Sequence, residues 1–165
     1  MDITNWKFCR NDEWETPIEY WELLVPFLDK TNDLIFDPFF MNGKAKTKWE
    51  KLGFECYHEN RDFFYSHPPH SSKNIICCSN PPYSCRNRVL RRLVVWDKPF
   101  IMLMPITTLC YIKTQPILKD LDIQVIIPNI YKGFINSKGE QTKCPPFYLC
   151  FICYKMNLEK DITYL

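Results

Sequence analysis

A short apolar run that stops at two prolines is the strongest constraint in this sequence. Residues 74–79 (Asn-Ile-Ile-Cys-Cys-Ser) are typical of a buried β-strand, and Asn80-Pro81-Pro82-Tyr83 follows at once. Proline cannot donate to a sheet ladder, so Pro81 and Pro82 end the strand and stiffen the turn. A buried strand that ends in a polar side chain and a rigid loop is where an open α/β sheet binds its ligand.

The loop after this strand carries groups that suit the holding of an amine. The side-chain oxygen of Asn80 and the carbonyl oxygen of Pro81 are both acceptors, and together they can hold an NH2 group with its lone pair facing outward. The ring of Tyr83 offers a flat face to a planar substrate. The pattern favours methyl transfer to an amide or exocyclic amine by positioning and electrostatics. In a chain with 13 prolines, a turn without chemistry is the alternative.

Asn80-Pro81-Pro82-Tyr83 resembles the (Asp/Asn)-Pro-Pro-(Tyr/Phe) motif of amino-methyltransferases that use S-adenosyl-L-methionine (AdoMet). These include the DNA and RNA adenine-N6 methyltransferases and the glutamine methyltransferases of release factors. The resemblance implies that Asn80, Pro81, Pro82 and Tyr83 form the catalytic loop. It also implies AdoMet as cofactor and direct displacement, without a metal ion or a covalent enzyme intermediate.

Length and composition fit one intracellular domain over residues 1–165. The chain is 46% apolar, which is enough for a single core. A net charge of +2 gives no overall attraction to nucleic acid, so such attraction has to be local. No apolar run reaches the roughly 18 residues of a membrane span, and Met1–Trp6 lacks the pattern of a signal peptide. We expect no membrane contact and a location in the cytoplasm or nucleus, or in host cytoplasm if the protein is viral.

Nine cysteines are a high and odd number. Cys77, Cys78, Cys110, Cys150 and Cys153 fall in predicted strands, where reduced thiols behave as small apolar residues. This favours a reducing compartment without a disulfide framework, and no metal site. The alternative is structural zinc at Cys150 and Cys153, but in a strand two sulfurs at this spacing point to opposite faces.

A helix is predicted near the start, from about Ile18 to Leu28. Thr16 is a suitable N-cap, Pro17 suits the first helical position, and Glu19 completes a capping box. The buried face would carry Tyr20, Leu23, Leu24 and Phe27. Trp14-x-Thr16-Pro17 also resembles the opening turn of phage-type adenine methyltransferases, which implies contact with the methionine end of AdoMet. A well-capped helix without this role is the alternative.

The next predicted unit is a strand over residues 33–39, a turn with Gly43, and a basic helix from about Ala45 to Leu52 closed by Gly53. This order brings backbone close to a cofactor. Asp37-Pro38-Phe39 with Gly43 resembles the Asp-Pro-Phe-x-Gly-x-Gly cofactor loop of these enzymes. The chain departs from that pattern, because this loop has one glycine and larger residues at positions 40–42.

A second strand is predicted over residues 54–59, ending in Glu59. A carboxylate at the tip of a second strand can bind the ribose hydroxyls of a nucleoside cofactor. Asp62-Phe63-Phe64 resembles the segment whose acid meets the adenine amine of AdoMet, beside an aromatic ring. The alternative is that Glu59 and Asp62 are ordinary solvated acids of a loop, without a ligand. The polar loop 66–73 indicates that the third strand usual in such folds is shortened or missing.

An amphipathic helix is predicted over residues 84–97, because Val89, Leu90, Leu93 and Val94 recur at helical spacing. Its other face carries four arginines close to the Asn80 loop. They can bind phosphates of a nucleic acid, or they form an ordinary solvated face. The four are Arg86, Arg88, Arg91 and Arg92.

Later strands are predicted at 99–105, 123–128 and 148–154, with a further short piece at 131–134 and a turn at 136–141. The order of motifs, from about Glu13 to Lys155, resembles the class I, Rossmann-like methyltransferase fold. That fold is α/β, with a mixed and mostly parallel sheet, helices on both faces and a C-terminal antiparallel hairpin. The detailed motifs are most similar to adenine methyltransferases of phages, giant viruses and protists.

Three functions stay open at this point. The first is N6-adenine methylation of DNA or RNA, with loose specificity, a protein partner that supplies recognition, or a structured-RNA or single-stranded target. The second is protein glutamine N-methylation, which the basic helix after the loop disfavours. The third is a catalytically inactive, methyltransferase-like binding subunit. Phe40, Met41 and the single glycine support the third, and the intact Asn80 loop opposes it.

Overall fold

The structure, a computed structural model, describes residues 14–165. The predictions made for Met1–Trp6 and for the start of the resemblance at Glu13 lie outside these residues. Residues 14–165 contain seven strands: β1 Asp33–Phe36, β2 Glu55–Tyr57, β3 Asn74–Ser79, β4 Phe100–Pro105, β5 Ile123–Ile127, β6 Leu149–Tyr154 and β7 Ile162–Tyr164. Four α-helices accompany them: α1 Ile18–Glu22, α2 Lys44–Lys51, α3 Arg86–Trp96 and α4 Gln115–Leu118.

The strands form one mixed sheet in the order β2-β1-β3-β4-β6-β5-β7. The first four are parallel to one another, and β7 is parallel to β5. β6 runs antiparallel to both of its neighbours, β4 and β5. The predicted α/β class, the mostly parallel sheet and the late antiparallel pair are therefore confirmed.

Both faces of the sheet are covered, which explains the continuous apolar runs of its strands. On one face, α3 places Val89, Leu90 and Leu93 in a core with Met102 of β4. On the other face, residues of α1 and α2 pack against Ile101, the next residue along β4. Cys150 and Cys153 belong to these two different cores, so the predicted opposite orientation of their sulfurs is confirmed.

The predicted helix over 18–28 is wrong in its second half. α1 ends at Glu22, and a 3₁₀ turn over Val25–Phe27 follows. Pro26 is the physical reason, because proline disfavours helical backbone at the residue before it and has no N–H for the helical ladder. Tyr20 and Leu24 are buried as predicted, whereas Leu23 and Phe27 are half-buried.

The predicted capping box is also wrong. Pro17 is the N-cap of α1, and it has no side-chain cap hydrogen bond. The Thr16 hydroxyl instead accepts a hydrogen bond from Asn80, and Glu19 pairs with Lys132. Distant partners have replaced the local ones that the spacing indicated.

Three smaller differences concern the second half of the chain. Cys110 is not in a strand but is exposed at the end of a 3₁₀ turn over Ile106–Leu109. Residues 131–134 form no strand, although Ile135 makes isolated bridges to Glu15 and Gln141. β7 was not predicted, since three residues are too short for a periodic signal. Residues 66–73 contain no strand, as expected.

Candidate functional site

The strand order reverses direction at β1, and this creates a crevice. β1 pairs with β2 on one side and with β3 on the other, so the loops that follow β1 and β3 diverge at their carboxyl ends. In open α/β sheets ligands bind at such a point. A cavity of about 550 Å³ lies here. Its size is in the usual range for small-molecule sites, roughly 300–1,000 Å³.

Asp37 follows β1 directly, and one of its carboxylate oxygens is held by the local structure. One carboxylate oxygen, Oδ1, accepts hydrogen bonds from the Ser79 hydroxyl at 2.7 Å and from the Phe39 backbone N–H at 3.0 Å. The first bond links the end of β1 to the end of β3. Burial raises the pKa of Asp37, although the charge of His58 and these hydrogen bonds oppose the change.

Asn80 follows β3 and is only half satisfied. Its Nδ2 donates to the Thr16 hydroxyl at 2.9 Å, which fixes the orientation of the amide. Its Oδ1 is buried and has no hydrogen-bond partner among the described residues. A buried acceptor without a donor costs about 1–3 kcal/mol, so its presence at a cavity wall calls for a functional reason.

A charged network holds Thr16 in place. Lys48 of α2 donates to the Thr16 carbonyl oxygen and lies 2.6 Å from Glu15, while Lys44 lies 2.9 Å from the other Glu15 oxygen. Burial alone would raise the pKa of Glu15, but the hydrogen bonds from Lys48 and Lys44 outweigh it and the pKa is lowered. Backbone bonds between Glu15 and Ile135 fix the other side of this segment.

The predicted cofactor-binding residues divide into two groups. The first group lines the cavity, together with Asn80 and Pro82 of the predicted catalytic loop. It comprises Trp14, Thr16, Asp37, Phe39 and Asp62. The second group lies outside the cavity lining and comprises Pro17, Pro38, Gly43, Glu59 and Phe63.

Phe63 of the second group supports the first group, and local contacts fix Asp62 and Glu59. The buried ring of Phe63 stacks on Phe39 with centroids 4.5 Å apart. Asp62 is held in its turn because its Oδ1 accepts the Phe64 N–H at 2.8 Å. Glu59 lies two residues beyond β2 and forms an ion pair with Arg61, at 2.9 Å. Arg61 itself borders the cavity.

Gly43 serves the turn that leads into α2. Its φ of 75° is left-handed, and its N–H donates to the Phe40 carbonyl oxygen at 2.7 Å. A Cβ at this position would come within 3.0 Å of the Phe40 ring, so glycine is required on both counts. Phe40 in turn stacks on His58, and both Phe40 and Met41 border the cavity.

Tyr83 lies next to the cavity rather than in its wall. Its half-buried ring meets buried Phe134 at 6.5 Å and exposed Phe147 at 6.0 Å, in the second case edge to face. Pro81 is buried beneath the loop. Tyr83 therefore connects the Asn80 loop to Phe147 on the surface.

The four arginines of α3 do not form one solvated face. The Arg86 Nη1 donates to the Tyr83 carbonyl oxygen at 3.0 Å, and its guanidinium lies 4.1 Å from the Tyr111 ring. Arg92 donates to the Ser66 carbonyl oxygen at 2.8 Å. Arg88 and Arg91 are exposed, with Arg88 stacked over Phe64. Arg86 and Arg92 thus have structural contacts besides any role toward phosphates.

Sequence reasoning missed the Glu15–Lys48 network and the segment 135–137, which also borders the cavity. No local signal marks the network or the approach of residues 135–137 to the cavity, because the contacts that bring them there join distant parts of the chain. Lys44 lies 29 positions from Glu15, and Glu15 bonds to Ile135. The residue types were visible only as one more glutamate, lysine and turn.

No family profile, curated protein or solved structure matches this chain. Within residues 14–165 no helix has the length and apolar character needed to cross a membrane. In the same part of the chain, no group of three or more histidine, cysteine or acidic side chains is placed to hold a metal ion.

Proposed function

We propose that this chain is an AdoMet-dependent methyltransferase of the class I, Rossmann-like fold, acting on the N6 amine of adenine in DNA or RNA. One observation carries the proposal: Asn80 is fixed through its nitrogen, while its buried oxygen has no partner in the described part of the chain. An acceptor kept in this state is suited to receive an N–H of a substrate. It lies at the strand-order reversal, beside a cavity of cofactor size.

The arrangement of the sheet supports the proposal. The parallel strands β2-β1-β3-β4 and the antiparallel β6 beside them fit the fold that the motifs imply. The loops after β1, β2 and β3 all contribute to the cavity, in the order of the cofactor loop, the Asp62 segment and the Asn80 loop.

The cavity also fits a nucleoside cofactor. Its wall has aromatic and apolar residues, among them Trp14 and Phe39, and polar ones, among them Thr16 and Asp62. A flat ring and a polar tail require this mixture. Trp14, Thr16, Asp37, Phe39 and Asp62 would hold AdoMet, with Glu59 and Phe63 placed just behind them. AdoMet would supply an electrophilic methyl group.

The remaining chemistry belongs to residues of this chain. Asn80 Oδ1 and the Pro81 carbonyl oxygen would accept the two N–H groups of the target amine, so that its lone pair points toward the cavity. Acceptors that are oriented before the substrate arrives need no reorganisation during the reaction. Tyr83 would contact the plane of the base.

Calorimetric titration with AdoMet, and then with its demethylated product, tests the proposal first. We expect micromolar binding, about −8 kcal/mol. A labelled-methyl assay on DNA, RNA and protein pools then identifies the substrate, and alkali-stable label on adenine is the expected result. Label on glutamine amides of protein would replace the adenine assignment but keep the mechanism.

A second candidate is an inactive, methyltransferase-like binding subunit. The specific observation in its favour is that the bulky Phe40 and Met41 border the cavity, in a loop where Met41 has a φ of 42°. Absence of AdoMet binding by the protein, and its appearance in a Phe40→Gly/Met41→Gly variant, would favour this candidate.

A further inference from the structure

We propose that three exposed aromatic residues beside the Asn80 loop bind single-stranded nucleic acid by base stacking. The residues are Tyr131, Phe147 and Tyr148, named here the aromatic ledge. This inference rests on the proposed function in one respect: the nucleotides bound at the ledge would be those that flank the target base. The binding itself does not require AdoMet.

One residue of the ledge, Phe147, meets the catalytic loop. The Phe147 ring meets Tyr83 edge to face with centroids 6.0 Å apart. Tyr83 is three residues from Asn80, so a strand whose base is held at Asn80 has its neighbouring nucleotides within reach of the ledge. The whole ledge comes from residues 128–148, the segment between β5 and β6.

The rings of the ledge are held firmly although they face solvent. Tyr131 and Tyr148 are stacked with centroids 5.6 Å apart and planes at 26°. The Tyr131 hydroxyl donates to the Pro145 carbonyl oxygen at 3.2 Å, and the Tyr148 carbonyl oxygen accepts from Ile106 at 2.8 Å. Yet Tyr131 is 49% exposed, Phe147 46% and Tyr148 75%. Ordered aromatic rings with open faces offer stacking surface at little entropic cost.

The charges around the ledge favour an anionic partner. Residues 128–148 contain three lysines, Lys132, Lys138 and Lys143, and one carboxylate, Glu140. Lys132 is paired with Glu19, so Lys138 and Lys143 carry the available positive charge of this segment. Glu140 accepts a hydrogen bond from Asn136 in its own turn. Arg86 adds a positive charge beside Tyr83. Phosphates next to stacked bases would meet this excess of positive charge.

The chemistry selects an unpaired strand over a duplex. Aromatic rings bind single strands because every unpaired base has a free face for stacking, whereas the faces of paired bases are covered by their neighbours. An apolar protein partner would not account for the surplus of lysine. A single strand also needs no flipping of the target base, which removes the cost of unpairing it.

Fluorescence anisotropy with a labelled 12-nucleotide oligodeoxyadenylate, at low salt and without AdoMet, tests the ledge. Stacking of one base contributes enough that Tyr148→Ala should weaken binding about fivefold or more. Tyr148→Phe keeps the ring and should bind as the unmodified protein does. Tyr164→Ala removes an equally exposed tyrosine on β7 and should also leave the affinity unchanged.

Several outcomes would overturn the ledge assignment. These are no binding of the oligonucleotide, equal affinity for the matching duplex, or equal loss in Tyr148→Ala and Tyr164→Ala. A dimer seen by sedimentation that dissociates on Tyr148→Ala would assign the surface to a second copy of the chain instead. AdoMet titration of the same samples separates the two claims, because it reports on the proposed function and not on the ledge.

Discussion

β1 has an aspartate at each end, and its neighbour β3 has an asparagine at each end. This gives one aspartate–asparagine pair at the amino ends of the two strands and one at their carboxyl ends, and the two pairs differ in their hydrogen bonds. At the amino ends, Asn74 Nδ2 donates to Asp33 Oδ1 at 3.3 Å, and Asp33 Oδ2 accepts from the Asp29 N–H at 2.7 Å. At the carboxyl ends, Asp37 accepts from Ser79, and Asn80 Nδ2 donates to Thr16. Asn80 Oδ1 has no hydrogen-bond partner within residues 14–165. The same residue types thus tie two strands together at one end and leave an acceptor open at the other. Within residues 14–165 the buried amide oxygen of Asn80 has no partner, whereas Asn74 is exposed, and this difference distinguishes the two asparagines.

The largest effect is expected for Asn80→Ala, which removes the open acceptor. Methyl transfer should fall by about 10²–10³, since an oriented polar group at a reacting centre contributes about 3–4 kcal/mol. AdoMet binding should stay nearly intact, because the proposed cofactor would be held mainly by other loops. Asn74→Ala is the matched control at the opposite end of β3 and should keep full activity. Equal activity in the Asn80 and Asn74 variants would remove Asn80 from the mechanism.

Asp37→Ala is expected to lower stability rather than chemistry alone. It leaves the Ser79 hydroxyl and the Phe39 N–H without their acceptor in a buried place, which should cost about 2–3 kcal/mol in the free energy of unfolding. Urea denaturation measures the loss. Asp33→Ala should cost a similar amount while sparing AdoMet affinity, whereas Asp37→Ala should weaken that affinity. Equal AdoMet affinity in the two folded variants would make Asp37 purely structural.

Thr16→Val tests whether the fixed orientation of the Asn80 amide matters, because it removes the hydroxyl to which that amide donates. The shape of the side chain is kept, but Nδ2 loses its acceptor and the amide is free to turn. We expect kcat to fall about tenfold, equivalent to about 1.4 kcal/mol, and the affinity for AdoMet to fall less, because Thr16 is one of several residues that would hold the cofactor. Thr16→Ser retains the hydroxyl and should recover most of the rate. A Thr16→Ser variant as slow as Thr16→Val would indicate a packing role instead.

The smallest effect is a difference in pH dependence between the buried acid Asp37 and the half-buried acid Glu15. Burial raises the pKa of Asp37 in the folded state, so its contribution to stability is complete below the pKa of the unfolded chain and is lost as pH rises through the folded value. The stability of the protein relative to Asp37→Asn should therefore decrease from about pH 4 upward.

Glu15 should give the opposite slope. Its pKa is lowered, because hydrogen bonds from Lys48 and Lys44 outweigh its burial. Its contribution is present above the unfolded pKa and is lost as pH falls through the folded value. Relative to Glu15→Gln, stability should thus increase as pH rises through the acidic range. Urea unfolding at several pH values measures both slopes, and slopes of the same sign would contradict this account.

Much of the sheet was predictable because its signals are local. The apolar runs at 74–79 and 99–105 are continuous, and prolines or glycines mark their ends, so β3 and β4 were found almost to the residue. The same holds for α2, which Gly53 follows with a φ of 88°. Placing Asp37 and Asn80 near each other required only that parallel strands end at one edge.

The errors at Thr16 and Glu19 share one cause, which is a distant partner. Thr16 and Glu19 have the spacing of a capping box, but Asn80 lies 64 positions from Thr16 and Lys132 lies 113 from Glu19. Such partners outcompete a local hydrogen bond when the tertiary structure brings them into place. The sequence could not predict that the Asn80 oxygen lacks a hydrogen-bond donor within residues 14–165, since this depends on how the surrounding loops pack. The catalytic and cofactor roles of these residues stay predictions.

The central position of β6 has a consequence for how the protein is made. β6 lies between β4 and β5 but comes from residues 149–154, more than 20 positions after β5 ends. Until the ribosome has released it, β4 and β5 each have an uncovered edge of apolar strand, which is prone to pairing with other chains. Nascent chains stalled before Leu149 should therefore depend on chaperones, and those stalled after β6 has emerged should not.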